Sequence, residues 1–128
     1  MNIENYVCSL ELAKQLKSEG YPQEDSLFYR GVKSGKIYLY ETAIEIKYNP
    51  SFFYAAPISD ELLEELPKEI TLGKEKYEDF ATMTIYLFEE GNHIFYDGEN
   101  GEYFECKQDR FVDSVAELWL KLKKEGYL

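Results

Sequence analysis

The sequence predicts an α+β fold: a mostly antiparallel sheet with an N-terminal helix, a short central helix and a C-terminal helix packed on it. Three observations predict it. Short segments alternate with period two, as in Ile37-Tyr38-Leu39-Tyr40, 43–48 and 80–88. These segments follow one another through turns and not through helices, so hairpins dominate and no βαβ alternation is seen. Apolar residues at helical spacing are confined to the two ends and one central stretch.

A chain of 128 residues reads as one domain, 1–128, large enough to bury a core without disulfides or metal. Hydrophobic residues make up 45%, which sets it apart from disordered compositions. Twelve Tyr and eight Phe stand against one Trp, a balance suited to a sheet with one face partly in water.

The first helix is expected from Ser9 to about Glu19, with Leu10, Ala13 and Leu16 on one stripe and Leu12 widening it. Gly20 ends it, Pro22 prevents its continuation, and Tyr21 is placed to fold back on the last turn. Leu27-Phe28-Tyr29-Arg30 reads as a strand entering the turn Lys33-Ser34-Gly35-Lys36. Ile37 and Leu39 then share one face of the returning strand, Tyr38 and Tyr40 the other. A further strand at 43–48 puts Ile44 and Ile46 inward and ends at the turn Asn49-Pro50-Ser51.

The chain is organised around Phe52-Phe53-Tyr54-Ala55-Ala56-Pro57 and the short acidic helix behind it. Ser59 is expected as N-cap, Asp60 and Glu61 favour the positive end of the helix dipole, and Pro67 stops the helix. A strand at 70–72 and a loop at 73–76 precede 80–88, the strongest strand pattern, with Met83, Ile85 and Leu87 on one face. Glu89-Glu90-Gly91-Asn92 turns the chain into His93-Ile94-Phe95-Tyr96, and Asn100-Gly101 is the next hairpin dipeptide. The last helix runs from about Arg110 to Glu125 and presents Phe111, Val115, Leu118, Trp119 and Leu122 on one face. Both terminal helices end alike, in Leu16-Lys17-Ser18-Glu19-Gly20-Tyr21 and Leu122-Lys123-Lys124-Glu125-Gly126-Tyr127, which reads as shared capping chemistry.

Twenty-five acids against 14 bases leave a net charge of −11. Between Lys76 and Lys107 there is no Lys or Arg, while Glu78, Asp79, Glu89, Glu90, Asp97, Glu99, Glu102 and Glu105 are acidic. Such a surface repels phosphate, so direct nucleic-acid binding is not expected. It either steers toward a basic partner, even imitating a nucleic-acid backbone, or serves only to keep an aromatic-rich domain soluble.

No P-loop, GxGxxG, GxSxG, HExxH or paired CxxC is present, and the chain reads as non-enzymatic with no cofactor. His93 is the one histidine and reads as an exposed residue at a turn, not as a catalytic base. Asp97-Gly98-Glu99-Asn100-Gly101-Glu102 invites a calcium reading but fails the EF-hand pattern, so a tight hairpin is preferred and no metal is expected. Cys8 and Cys106 lack metal spacing; a bridge between the ends is open, and two free thiols are preferred. Tyr38, Tyr40 and Tyr54 with Arg30 form the one constellation with ligand-binding character, since tyrosines stack bases and arginine grips phosphate.

The phrase Tyr54-Ala55-Ala56-Pro57 followed by Asp60-Glu61-Leu62-Leu63-Glu64-Glu65-Leu66-Pro67 resembles one found in small uncharacterised phage and prophage proteins. Ser9-Leu10-Glu11-Leu12-Ala13-Lys14-Gln15-Leu16-Lys17, Gln23-Glu24-Asp25-Ser26-Leu27-Phe28-Tyr29 and the closing Lys123-Lys124-Glu125-Gly126-Tyr127-Leu128 are similar to their opening, middle and end. The resemblance covers most of the chain and is weakest over 73–110. It implies a mobile-element origin and brings no catalytic residues.

Together these point to a phage-type protein of the bacterial cytoplasm, with no signal peptide and no membrane span, that binds a host or phage protein through a basic surface on that partner. An anti-defence inhibitor is the concrete form, with Glu89, Glu90, Glu99 and Glu102 as its contacts. The alternative is a nucleotide-binding or sequestering protein using Arg30 and the tyrosines. Exposed tyrosine strands also leave a homodimer open.

Overall fold

The computed structural model describes residues 2–39, 52–73 and 78–128. Tyr40, the expected strand at 43–48, the turn at 49–51 and most of the loop at 73–76 therefore lie outside the described residues. The described residues form an α+β fold of three α-helices and two antiparallel sheets: α1 (Leu10–Ser18), β1 (Phe28–Gly31), β2 (Ile37–Leu39), β3 (Phe53–Ala55), α2 (Ser59–Glu65), β4 (Glu69–Leu72), β5 (Asp79–Phe88), β6 (Gly91–Gly98), β7 (Gly101–Cys106) and α3 (Phe111–Lys124). The sheets run β2-β1-β3 and β4-β5-β6-β7.

Ser9 caps α1, its hydroxyl accepting from the Leu12 amide at 3.3 Å, and Ala13 and Leu16 are buried. Beyond the helix Gly20 takes φ +91°, and the Tyr21 amide returns to the Leu16 carbonyl at 2.8 Å while the Gly20 amide reaches Lys17. α3 closes in the same way: Gly126 takes φ +85°, Tyr127 donates to Leu122 at 2.9 Å and Gly126 to Lys123. Both are Schellman motifs, so the matched sequences at the two helix ends make matched structures. The tyrosine that follows each glycine then packs inward. Tyr21 meets the anchoring Trp119 edge-on at 5.2 Å, and Tyr127 meets Phe104 at 5.6 Å.

The start of α2 differs from expectation. Ser59 is its first helical residue and Ile58 the N-cap, which has no side-chain acceptor. Glu61 supplies one instead: its carboxylate accepts from the Ile58 amide at 2.9 Å, and also from the Leu27 amide and the Ser26 hydroxyl. One acid thereby ties the helix start to the chain entering β1. Leu66 leaves the helix in extended conformation, as the residue before a proline must.

β3 was not legible as a strand, yet Phe53, Tyr54 and Ala55 pair with Gly31, Arg30 and Tyr29 of β1. The core joins α1, α2 and α3 to one face of the larger sheet. Ile70, Ala81, Ile94, Tyr96 and Cys106 contribute from the strands, Val112, Val115, Ala116, Leu118, Trp119 and Leu122 from α3. Cys8 and Cys106 are buried in it as free thiols, and burial pushes both up to about 12. At neutral pH they behave as small apolar side chains.

The N-terminus of α3 is anchored by polar side chains. Asp113 accepts from the Ser9 amide at 2.9 Å and from Arg110, while Ser114 links Gln108 to Asn92 of β6. These bonds fix α3 over the inner face of β6 and β7, the other being the outer face of the sheet.

Candidate functional site

That outer face carries the features with functional character. In an antiparallel ladder directly opposed residues share a face. The pairs Thr82↔Asp97, Thr84↔Phe95 and Tyr86↔His93 therefore lie on one side, and Met83↔Tyr96 and Ile85↔Ile94 on the core side. β4 accompanies β5 only from Asp79 to Thr82, with one more bond from Met83 to Lys68. Beyond that point β5 outruns the core. Its expected alternation holds, but Ile85 and Leu87 on the nominally inner face are 38% and 67% exposed. Tyr86 and Phe88 on the other face are 53% and 59% exposed, and the two-residue loop Glu89-Glu90 closes the hairpin, with Phe88 paired to Gly91. The end of this hairpin is thus apolar on both faces and acidic at the tip.

The second feature lies on the same outer face, further along β6. Here His93 departs from its sequence reading. It sits inside β6, not in a turn, and is only 7% exposed, with its ring stacked on Phe95 at 4.3 Å and facing Tyr86. The paired strand is long enough to start at Gly91, which draws His93 two residues into the sheet. Its Nε2 lies 2.9 Å from Glu105 Oε1, yet outside hydrogen-bonding geometry, and this buried nitrogen has no hydrogen-bond partner.

Glu105 reaches His93 because β7 is irregular. Ile94 pairs with Cys106 and Tyr96 with Tyr103, so β7 spends three steps where β6 spends two. The extra residue forms a bulge at Phe104, which takes φ +56°, a conformation uncommon for a bulky side chain. Tyr103 and Phe104 both turn toward the core, and Glu102 and Glu105, three positions apart, both turn outward. Without the bulge, residues separated by three would face opposite ways. Glu102 and Glu105 share a hydrogen bond, which raises Glu102 above the usual carboxylate range and lowers Glu105. One ligand atom from each of His93, Glu102 and Glu105 lies within 4.8 Å of the others.

The four acids expected to make one contact surface are not together. Glu89 and Glu90 occupy the β5–β6 loop, whereas Glu99 is in the β6–β7 loop at the other end of β6, eight residues or about 23 Å away. Glu102 lies on the outer face beside Asp97. The calcium-like stretch is a hairpin, closed one residue earlier than Asn100-Gly101 suggests. Gly98 pairs with Gly101, Glu99 and Asn100 form the loop, and Asp79 of β5 accepts both their amides at 3.0 Å.

The Arg30–tyrosine constellation is divided as well. Arg30 is 4% exposed and its guanidinium donates to the carbonyls of Cys8 and Gly35, both at 2.9 Å, and to the Glu4 carboxylate. Register places Tyr54 beside Arg30 and Ile37 on one face of the smaller sheet, and Tyr38 beside Tyr29 on the other. Tyr54 packs on the main core under Lys17, and Tyr38 meets Phe53 edge-on at 5.5 Å. Burial of Arg30 follows from β1 being the central strand of its sheet, which the local sequence does not reveal.

A shallow groove between α1 and α3 is lined by Lys14, Gln15, Ser18, Glu19, Leu120 and Lys124, with a single carboxylate. No helix of the described residues is long and apolar enough to cross a membrane. No protein-family model, curated protein or solved structure matches the chain.

Proposed function

We propose that the chain acts by binding a protein partner, seating the end of the β5–β6 hairpin in an apolar pocket rimmed by basic residues. The observation that carries this reading is the run Tyr86, Leu87 and Phe88, each more than half exposed, immediately before Glu89-Glu90. Contiguous exposed apolar side chains are costly in water and mark interaction sites, and aromatics with acidic neighbours favour an apolar pocket with a basic rim. A second copy is the poorer occupant, because the tip would meet another strongly acidic chain. The stretch 77–106 that bears it contains no Lys or Arg. With the resemblance to small phage proteins, the concrete form is an inhibitor of a bacterial defence protein in the host cytoplasm.

The test is capture from bacterial lysate by the wild type and by two variants, with native mass spectrometry of what is retained. A stoichiometric partner held by the wild type, lost in Leu87→Ser/Phe88→Ser and weakened with reduced salt sensitivity in Glu89→Gln/Glu90→Gln, supports the reading. Equal capture by all three chains, or a self-dimer that Leu87→Ser/Phe88→Ser abolishes with no other protein retained, overturns it.

A further inference from the structure

We propose that His93, Glu102 and Glu105 bind one first-row divalent cation of the zinc or manganese type on the outer face of the larger sheet. Three independent features converge there. The donor atoms already lie within 4.8 Å of one another. Metal–ligand distances of about 2.0–2.2 Å place neighbouring donors roughly 3–3.5 Å apart, a closure that exposed glutamate side chains reach by rotation. The set mixes one imidazole with two carboxylates, which suits zinc or manganese better than calcium, an ion that takes six to eight oxygens.

The imidazole is the second feature. His93 is more than nine-tenths buried, its ring orientation is set by Phe95 and Tyr86, and its Nε2 is directed at the carboxylates without a hydrogen bond. A bound cation would take the Nε2 lone pair in place of this contact with Glu105, which lacks hydrogen-bonding geometry. The third feature is the carboxylate pair: Glu102 and Glu105 face outward together on β7, where a dication held by both and by a neutral imidazole would be in charge balance. The Phe104 bulge, which turns Glu105 to the side of Glu102, is the backbone device that assembles the set.

This site does not depend on the hairpin tip being a docking surface. Chelator-treated protein is titrated with Zn²⁺ and separately with Mn²⁺ by isothermal calorimetry at pH 7. One ion per chain is expected for at least one of the two metals, with affinity reduced at least about tenfold in Glu105→Gln and in Glu102→Gln. These side chains are exposed, so both variants are expected to fold. Glu89→Gln/Glu90→Gln removes the same kind of charge elsewhere and serves as control. The proposal is overturned by the absence of stoichiometric binding of either metal. Undiminished affinity in Glu105→Gln, or an equal loss in the control, overturns it too, the latter marking diffuse counter-ion binding. Co²⁺ absorption that is unchanged between wild type and His93→Gln would remove the imidazole from the site.

Discussion

Gly98 and Asp79 stand so close across the β5–β6 ladder that a methyl group on Gly98 would lie 2.8 Å from Asp79 Cγ and 2.9 Å from Oδ1. The carboxylate cannot swing aside without cost, because it accepts from the Glu99 and Asn100 amides at 3.0 Å and from the Tyr103 hydroxyl at 2.8 Å. Gly98→Ala is therefore expected to destabilise the protein by about 1–3 kcal/mol, read by urea denaturation. An unchanged midpoint would show that Asp79 does not hold the turn.

The same carboxylate predicts a pH dependence. The Tyr103 hydroxyl first, then the Asn100 and Glu99 amides, hold Asp79 below its ordinary range. A carboxyl lowered on folding stabilises above its unfolded value, near 4, and that stabilisation is lost as pH falls through the folded value. Denaturation midpoints of the wild type should fall steeply below about pH 4. Those of Asp79→Asn should start lower at pH 6 and change less over that range, and Tyr103→Phe should lie between.

Arg30 is expected to matter for stability. Arg30→Met leaves the carbonyls of Cys8 and Gly35 without their donors and should cost about 2–4 kcal/mol. Glu4→Gln should cost at most about 1 kcal/mol, since the Glu4 side chain is 51% exposed and its pairing is screened. Thermal melts of the two variants check the ratio; equal losses would place the energy in the ion pair.

The paired helix ends offer an internal comparison. A Cβ on Gly20 or on Gly126 meets nothing within 4 Å, so the cost of alanine there is that of the left-handed backbone alone. Gly20→Ala and Gly126→Ala should each cost about 1 kcal/mol and add in the double variant. A much larger loss at one end would mean that its tyrosine, Tyr21 or Tyr127, has been pulled from its ring partner.

Local chemistry carried the readable part of this protein. The helix stripe through Ala13 and Leu16, the Trp119 anchor and the repeated Leu-Lys-x-Glu-Gly-Tyr ending depend on residues within one or two turns, so pattern alone located them. The α+β class followed from strands joined by turns, and the acids of 77–106 are exposed as their composition suggested, except Asp79, which is buried because its carboxylate holds the β6–β7 turn. Distances between strands were not legible. The pairing of β3 with β1 buried Arg30 and set Tyr38 and Tyr54 on opposite faces, although their spacing in sequence suggested a shared surface. The length of β6 separated Glu89-Glu90 from Glu99. One additional residue in β7, at Phe104, reversed the side of Glu105 and joined it to Glu102 and His93, which the sequence offered only as a turn histidine and two scattered acids. Side-chain periodicity is a property of each segment by itself, so the sequence determined it. Register, bulges and where a strand outruns its core are settled between segments, and only the tertiary structure decides them.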